Sequence, residues 1–149
     1  MLKAKDLMTT VVITVNPVTT IEELARIFIE HNISGAPVVN DAGDLIGIVT
    51  ENDLISRNKR LHIPTVMRLF DAFIPIENPG KLENEIKRMA AASVGDICVK
   101  KVITVTGDTS SEDIATIMSE KKVHLIPVVE GKKIKGIIGK ADMIRGMQK

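Results

Sequence analysis

Neither tryptophan nor tyrosine occurs among the 149 residues, and Phe28, Phe70 and Phe73 are the only aromatics. Proteins that hold single-stranded nucleic acid stack its bases on aromatic side chains, so that mode of binding has little to stand on. An excess of one charge is missing too. With 20 basic and 19 acidic residues the net charge is +1, which argues against an electrostatic grip on long nucleic acid. Cys98 is the single cysteine; it excludes an intramolecular disulfide and a multi-cysteine metal site, and fits a reducing compartment. His31, His62 and His124 stand at no metal-ligand spacing. No apolar run approaches the roughly twenty residues of a membrane span, and the opening MLKAKDLMTT has no signal-peptide core. A soluble cytoplasmic protein is expected. Nucleophile elbow, phosphate-cradling glycine loop and H-E-x-x-H are all missing, so an enzyme has no residues to rest on.

What is present is said twice. Val12 to Val39 align without a gap on Val102 to Val129, ninety positions later, with twelve of twenty-eight residues identical. After a one-residue deletion the register resumes, LIGIVTENDLI at Leu45 to Ile55 answering IKGIIGKADMI at Ile134 to Ile144. A unit of this length occurring twice is too few for a solenoid and reads as a pseudo-symmetric pair. Each half alone is a marginal folder, so the two are expected to share one fold with a cleft between them.

Within each copy, β-branched runs at Val11 to Val15 and Val102 to Val105 predict a short buried strand. In Thr19-Thr20-Ile21-Glu22-Glu23 hydroxyl and carboxylate stand three apart, as suits a helix N-terminal capping box, and Ile21, Leu24, Ala25 and Phe28 follow at helical spacing, matched by Ile114, Ile117 and Met118. Two strands follow, Pro37 to Asn40 and Leu45 to Thr50 around Asp41-Ala42-Gly43-Asp44, then Pro127 to Glu130 and Ile134 to Ile138 around Gly131-Lys132-Lys133. Closing helices start at Glu51 and Lys140. The fold class is α+β, two β-α-β-β-α repeats at residues 1–60 and 93–149. Between them residues 61–92 form a helical connecting segment, with Val66, Leu69, Phe70 and Phe73, and again Leu82, Ile86, Met89 and Ala90, at helical spacing.

The chemistry centres on Gly47-Ile48-Val49-Thr50-Glu51-Asn52-Asp53, an apolar strand running into T-x-x-D. Thr50 and Asp53 at a helix start satisfy orphan backbone donors. The same carboxylate at a cleft mouth would accept hydrogen bonds from neighbouring ribose hydroxyls, and the helix N-terminus would favour an anion. The two roles are compatible. The charged runs Arg57 to Arg60, Lys121-Lys122 and Lys132-Lys133 read as solvated surface.

The doubled unit, the strands Ala36-Pro37-Val38-Val39 and Ile126-Pro127-Val128-Val129, and the T-x-x-D ending together closely resemble the CBS domain pair, or Bateman module, of the family named for cystathionine β-synthase. The resemblance covers essentially the whole chain. It implies a non-catalytic regulatory module that senses AMP, ADP, ATP or S-adenosylmethionine, needs no cofactor, forms a homodimer and acts on an unknown protein target. By position it implies one site from Ile48, Thr50, Asn52 and Asp53 with Cys98, Ile103, Val123, His124 and Leu125. A second would join Ile137, Gly139, Ala141 and Asp142 to Met8, Ile13, Ile33, Ser34 and Gly35. Gly139 stands where the motif has a hydroxyl, so the first site is expected to be the tighter. Lys140 beside it, and His124 with Lys100 and Lys101 at the first site, are candidates for phosphate. Two other classes remain as alternatives: a structural dimerisation module with degenerate sites, and a nucleic-acid accessory protein.

Overall fold

The computed structural model describes residues 2–56 and 92–148; the helical connecting segment expected at 61–92 lies almost wholly outside them. Each half repeats the same order. The first has α1 (Ala4–Leu7), α2 (Ile21–His31), a hairpin of β1 (Gly35–Val39) and β2 (Leu45–Thr50), and a helix α3 opening at Glu51. The second has α4 (Val94–Ile97), α5 (Ser111–Lys121), β3 (Leu125–Glu130), β4 (Lys133–Gly139) and α6 (Lys140–Gly146).

Local chemistry accounts for these elements. The Thr20 hydroxyl accepts from the Glu23 amide at 3.1 Å, and Ser110 does the same for Asp113 at 3.1 Å, so both long helices start on a side-chain cap. Leu24 and Phe28, and on α5 Ile114, face inward at helical spacing. In the first hairpin the Asn40 carboxamide oxygen accepts from Ala42 and Asp44 at 3.0 and 2.9 Å, and Gly43 takes φ +83°. That left-handed conformation is open to glycine at no steric cost.

The strands expected at Val11 to Val15 and Val102 to Val105 shrink to single residues. Val15 bridges Val38, and Val105 bridges Val128, each in parallel. Val12, Ile13, Val102 and Ile103 instead border the cleft, with no neighbouring strand to pair with. The β-branched composition marks a buried anchor at the end of each run; the preceding residues have no regular structure.

The leading segments change sides. The Ala4 and Lys5 amides donate to the carbonyls of Thr109 and Gly107 at 2.8 and 3.0 Å, and Thr9 pairs with Ile137 through two 2.9 Å bonds. In mirror fashion the Val94 and Gly95 amides donate to Thr19 and Pro17, and Val99 pairs with Ile48. Ala4 and Leu7 consequently sit in a core with Val105, Ile114, Ile126, Val128 and Ile138, while Val94 completes that of Val15, Leu24, Phe28, Ala36, Val38 and Val49. Two glycines admit these crossings. A Cβ on Gly47 would lie 3.0 Å from Cys98 Sγ and 3.1 Å from the Val99 carbonyl, and one on its counterpart Gly136 would run into Met8.

Candidate functional site

Four of the short helix starts use one device. Asp6, Asp53, Asp96 and Asp142 each stand at the third helical position and accept from the backbone amide three residues earlier, at 2.9, 2.8, 2.9 and 2.7 Å. The carboxylate half of the capping reading of T-x-x-D is present, and equally so at Asp6 and Asp96, which border neither cleft cavity; the Thr50 hydroxyl donates to Asp53 rather than accepting from the helix start. What separates the four is the rest of the carboxylate.

At Asp53, Oδ2 takes both bonds, from the Thr50 amide and, at 3.3 Å, from the Thr50 hydroxyl. Oδ1 has no hydrogen bond among the described residues, and the side chain is half-buried in the wall of a cavity of about 360 Å³. Asp142 is buried and outside the cavity wall. Its Oδ2 holds the Gly139 amide, while Oδ1 accepts from the Thr9 hydroxyl at 2.9 Å and from the Arg145 guanidinium. By the repeat register, Thr9 and Arg145 correspond to Val99 and Ser56. The first half thus lacks both groups that occupy the carboxylate of the second.

The first cavity gathers Ile48, Thr50, Asn52 and Asp53 from one repeat with Ile103, Val123, His124 and Leu125 from the other. Cys98, the ninth residue expected there, points elsewhere: it packs against the core beside Gly47, and Val99 takes its place at the wall. Burial raises the Cys98 thiol above its ordinary pKa, Lys100 opposing and Asp53 adding to the shift. The wall also carries Lys101 and Lys122; Lys122 had read as solvated surface.

Opposite lies a cavity of about 510 Å³ with Ile13, Ile33, Ser34 and Gly35 facing Ile137, Gly139 and Ala141. Met8 and Asp142 are not brought to it; Met8 lies under Gly136 and packs on the second core. Lys140 borders this cavity. Ser34, Glu51, His124 and Leu125 line both cavities, a common wall near the pseudo-two-fold axis. There a Cβ on Gly35 would meet Leu125 Cδ2 at 2.8 Å, a tight approach between the first residues of β1 and β3.

Volumes of a few hundred Å³, mostly apolar walls and a few convergent polar groups are what a small-molecule site requires. Among the described residues no cluster of His, Cys, Asp and Glu is arranged to hold a metal ion, and no helix is long and apolar enough to cross a membrane.

Comparison with known proteins places this geometry. An uncharacterized protein of Methanocaldococcus jannaschii is 30% identical over 136 residues, covering 84% of this chain and 79% of its own. The chloroplastic CBS domain-containing protein CBSX2 of Arabidopsis thaliana is 26% identical over 139 residues; the match covers 88% of this chain but 56% of that protein. The crystal structure of CBSX2 in complex with AMP superposes with a TM-score of 0.78 at 23% identity, covering 99% of this chain and 97% of that one. The CBS domain pair of protein MJ0100 in complex with 5′-methylthioadenosine and S-adenosyl-L-methionine gives 0.71 at 26% identity, covering 99% and 98%. The CBS domain model matches residues 4–60 and again 94–149, and the chain belongs to the CBS domain family as a tandem pair.

Proposed function

We propose that this chain is a non-catalytic regulatory module of the cytoplasm that binds an adenosine-containing ligand in the first cavity. The carrying observation is Asp53: a carboxylate fixed by its own helix start, with Oδ1 unengaged among the described residues, in the wall of a cavity also lined by Ile48, Ile103 and Val123. Two neighbouring ribose hydroxyls suit that oxygen, and the apolar side chains suit a purine. The ligands named for CBSX2 and MJ0100 are all adenosine compounds, which supports the class. A ligand spanning both repeats stabilises one arrangement of the cleft and passes that bias to a partner protein, to the extent of its unequal affinity for the two arrangements.

Adenosine compounds are expected to stabilise the protein against heat. At a hundred times its dissociation constant a ligand adds about 2.7 kcal/mol to the folded state, worth roughly 5–11 °C in a chain of this size. AMP, ATP or S-adenosylmethionine should raise the melting temperature and GTP should not. No shift with any of them at millimolar concentration would hand the lead to a structural dimerisation module.

That second reading has an observation of its own. Ile55 and Ile144, equivalent in the two repeats, are 65% and 60% exposed, Met147 is 84% exposed, and an apolar groove runs between Met118 and Met143. Large apolar side chains left in water at related positions suit a two-fold contact with a second copy. A homodimer is expected with or without nucleotide; a one-chain mass in sedimentation at micromolar concentration would remove it.

A further inference from the structure

We infer that the first cavity selects adenosine compounds carrying a phosphate chain, through Lys101 and Lys122, and that the second cavity has no equivalent device; the inference rests on the adenosine reading above. The internal repeat supplies its own control, because each wall position has a counterpart in the other half. Lys101 and Lys122 line the first cavity, and their counterparts Val11 and Asn32 line the second. Two ammonium groups on one wall are thus replaced by an isopropyl group and a neutral amide on the other.

Backbone geometry sharpens the comparison. Asn32 and Lys122 both end their helices in the left-handed conformation, at φ 53° and 54°. The main chain is the same and only the side chain differs. Asparagine adopts that conformation readily, whereas lysine does so at a cost. Helix termination alone therefore gives no reason for lysine at this place, and a charge held at a cavity wall does. No ion pair engages Lys101 or Lys122 among the described residues.

Formal charges balance at both walls, Lys101 and Lys122 with Glu51 and Asp53 in the first and Lys140 with Glu51 in the second, so the difference lies in the number of cations offered. Glu51 borders both cavities and so favours neither. Lys140 and Glu51, counterparts in the repeat, both border the second cavity, which so offers a single lysine. In the first cavity Asp53 already holds two bonds from Thr50 and, on the adenosine reading, is assigned to the sugar, which leaves the lysines for the chain beyond it. His124 borders both cavities, while its counterpart Ser34 carries no ring nitrogen.

Calorimetric titration of adenosine, AMP and ATP into wild type and Lys101→Val/Lys122→Asn tests the assignment. The double variant carries only residues that the other repeat accommodates on the same backbone, and Lys101→Gln/Lys122→Gln provides a second form of nearly unchanged side-chain length. Wild type is expected to bind ATP about tenfold more tightly than adenosine, as two exposed ion pairs allow. Both variants should lose that preference while holding adenosine as before, and 0.5 M salt should erase it in wild type. Equal affinity for adenosine and ATP in wild type, or an ATP preference that survives both variants, overturns the charge assignment and leaves the adenosine reading intact. Failure of wild type to bind any of the three overturns the adenosine reading and this inference with it.

Discussion

Asp53→Ala is expected to weaken binding of an adenosine nucleotide roughly ten- to a hundredfold. Hydrogen bonds to a charged acceptor contribute about 1.5–3 kcal/mol each, and each 1.4 kcal/mol or so is tenfold in affinity. The same substitution removes the acceptor of the Thr50 amide, so the ligand-free protein should also lose about 1 kcal/mol. Asp53→Asn separates the two effects: an amide oxygen still accepts from Thr50, but the negative charge is gone. Its melting temperature should stay near wild type while its affinity falls. Titration with adenosine and 2′-deoxyadenosine nucleotides supplies the decisive contrast, since wild-type protein blind to the missing hydroxyl would take the sugar away from Asp53.

The opposite profile is expected of Asp142→Ala. Its carboxylate is 7% exposed and accepts from Gly139, Thr9 and Arg145. Removing it leaves a half-buried amide and a hydroxyl without their acceptor and a guanidinium without its counter-ion. The cost should be about 3 kcal/mol, or roughly 6–12 °C in melting temperature, with little change in nucleotide affinity. Thermal melts of the free protein beside titrations of both mutants check this. An affinity loss matching that of Asp53→Ala, with stability unchanged, would show that the Thr9 and Arg145 contacts give way to a ligand.

On sequence the first site is expected to be the tighter, because a hydroxyl is missing at Gly139. The structural difference between the two carboxylates arises elsewhere, in the contacts of Asp142 with Thr9 and Arg145, one a strand-pair away and one a helical turn on. Motif comparison looks along the motif and so misses partners that arrive through the fold. The hairpins and long helices were legible because alternation, helical spacing and turn residues are local signals. The family resemblance already set Met8 beside Ile137 and Cys98 beside Ile48, and the leading segments do cross to those hairpins. Which residue of each segment turns to the cleft was not legible: Met8 and Cys98 lie under Gly136 and Gly47, and their neighbours Thr9 and Val99 stand at the cavity walls. Lys122 was passed over as one of a surface pair, since nothing in Lys121-Lys122 tells which of two neighbouring lysines turns toward the cleft.

Because the leading segments cross, neither repeat can swing away from the other as a rigid door. Opening the cleft would unzip the Thr9–Ile137 and Val99–Ile48 pairs and draw α1 and α4 out of the opposite cores. Hinge motion is thus costly, and the inexpensive motion is a shear in which the two hairpins slide by small amounts while staying interlaced. Such a device transmits torsion more readily than aperture. On the proposed regulatory reading, a partner protein would sense that shear as a change in the angle between the helix starts at Glu51 and Lys140, which follow directly on β2 and β4.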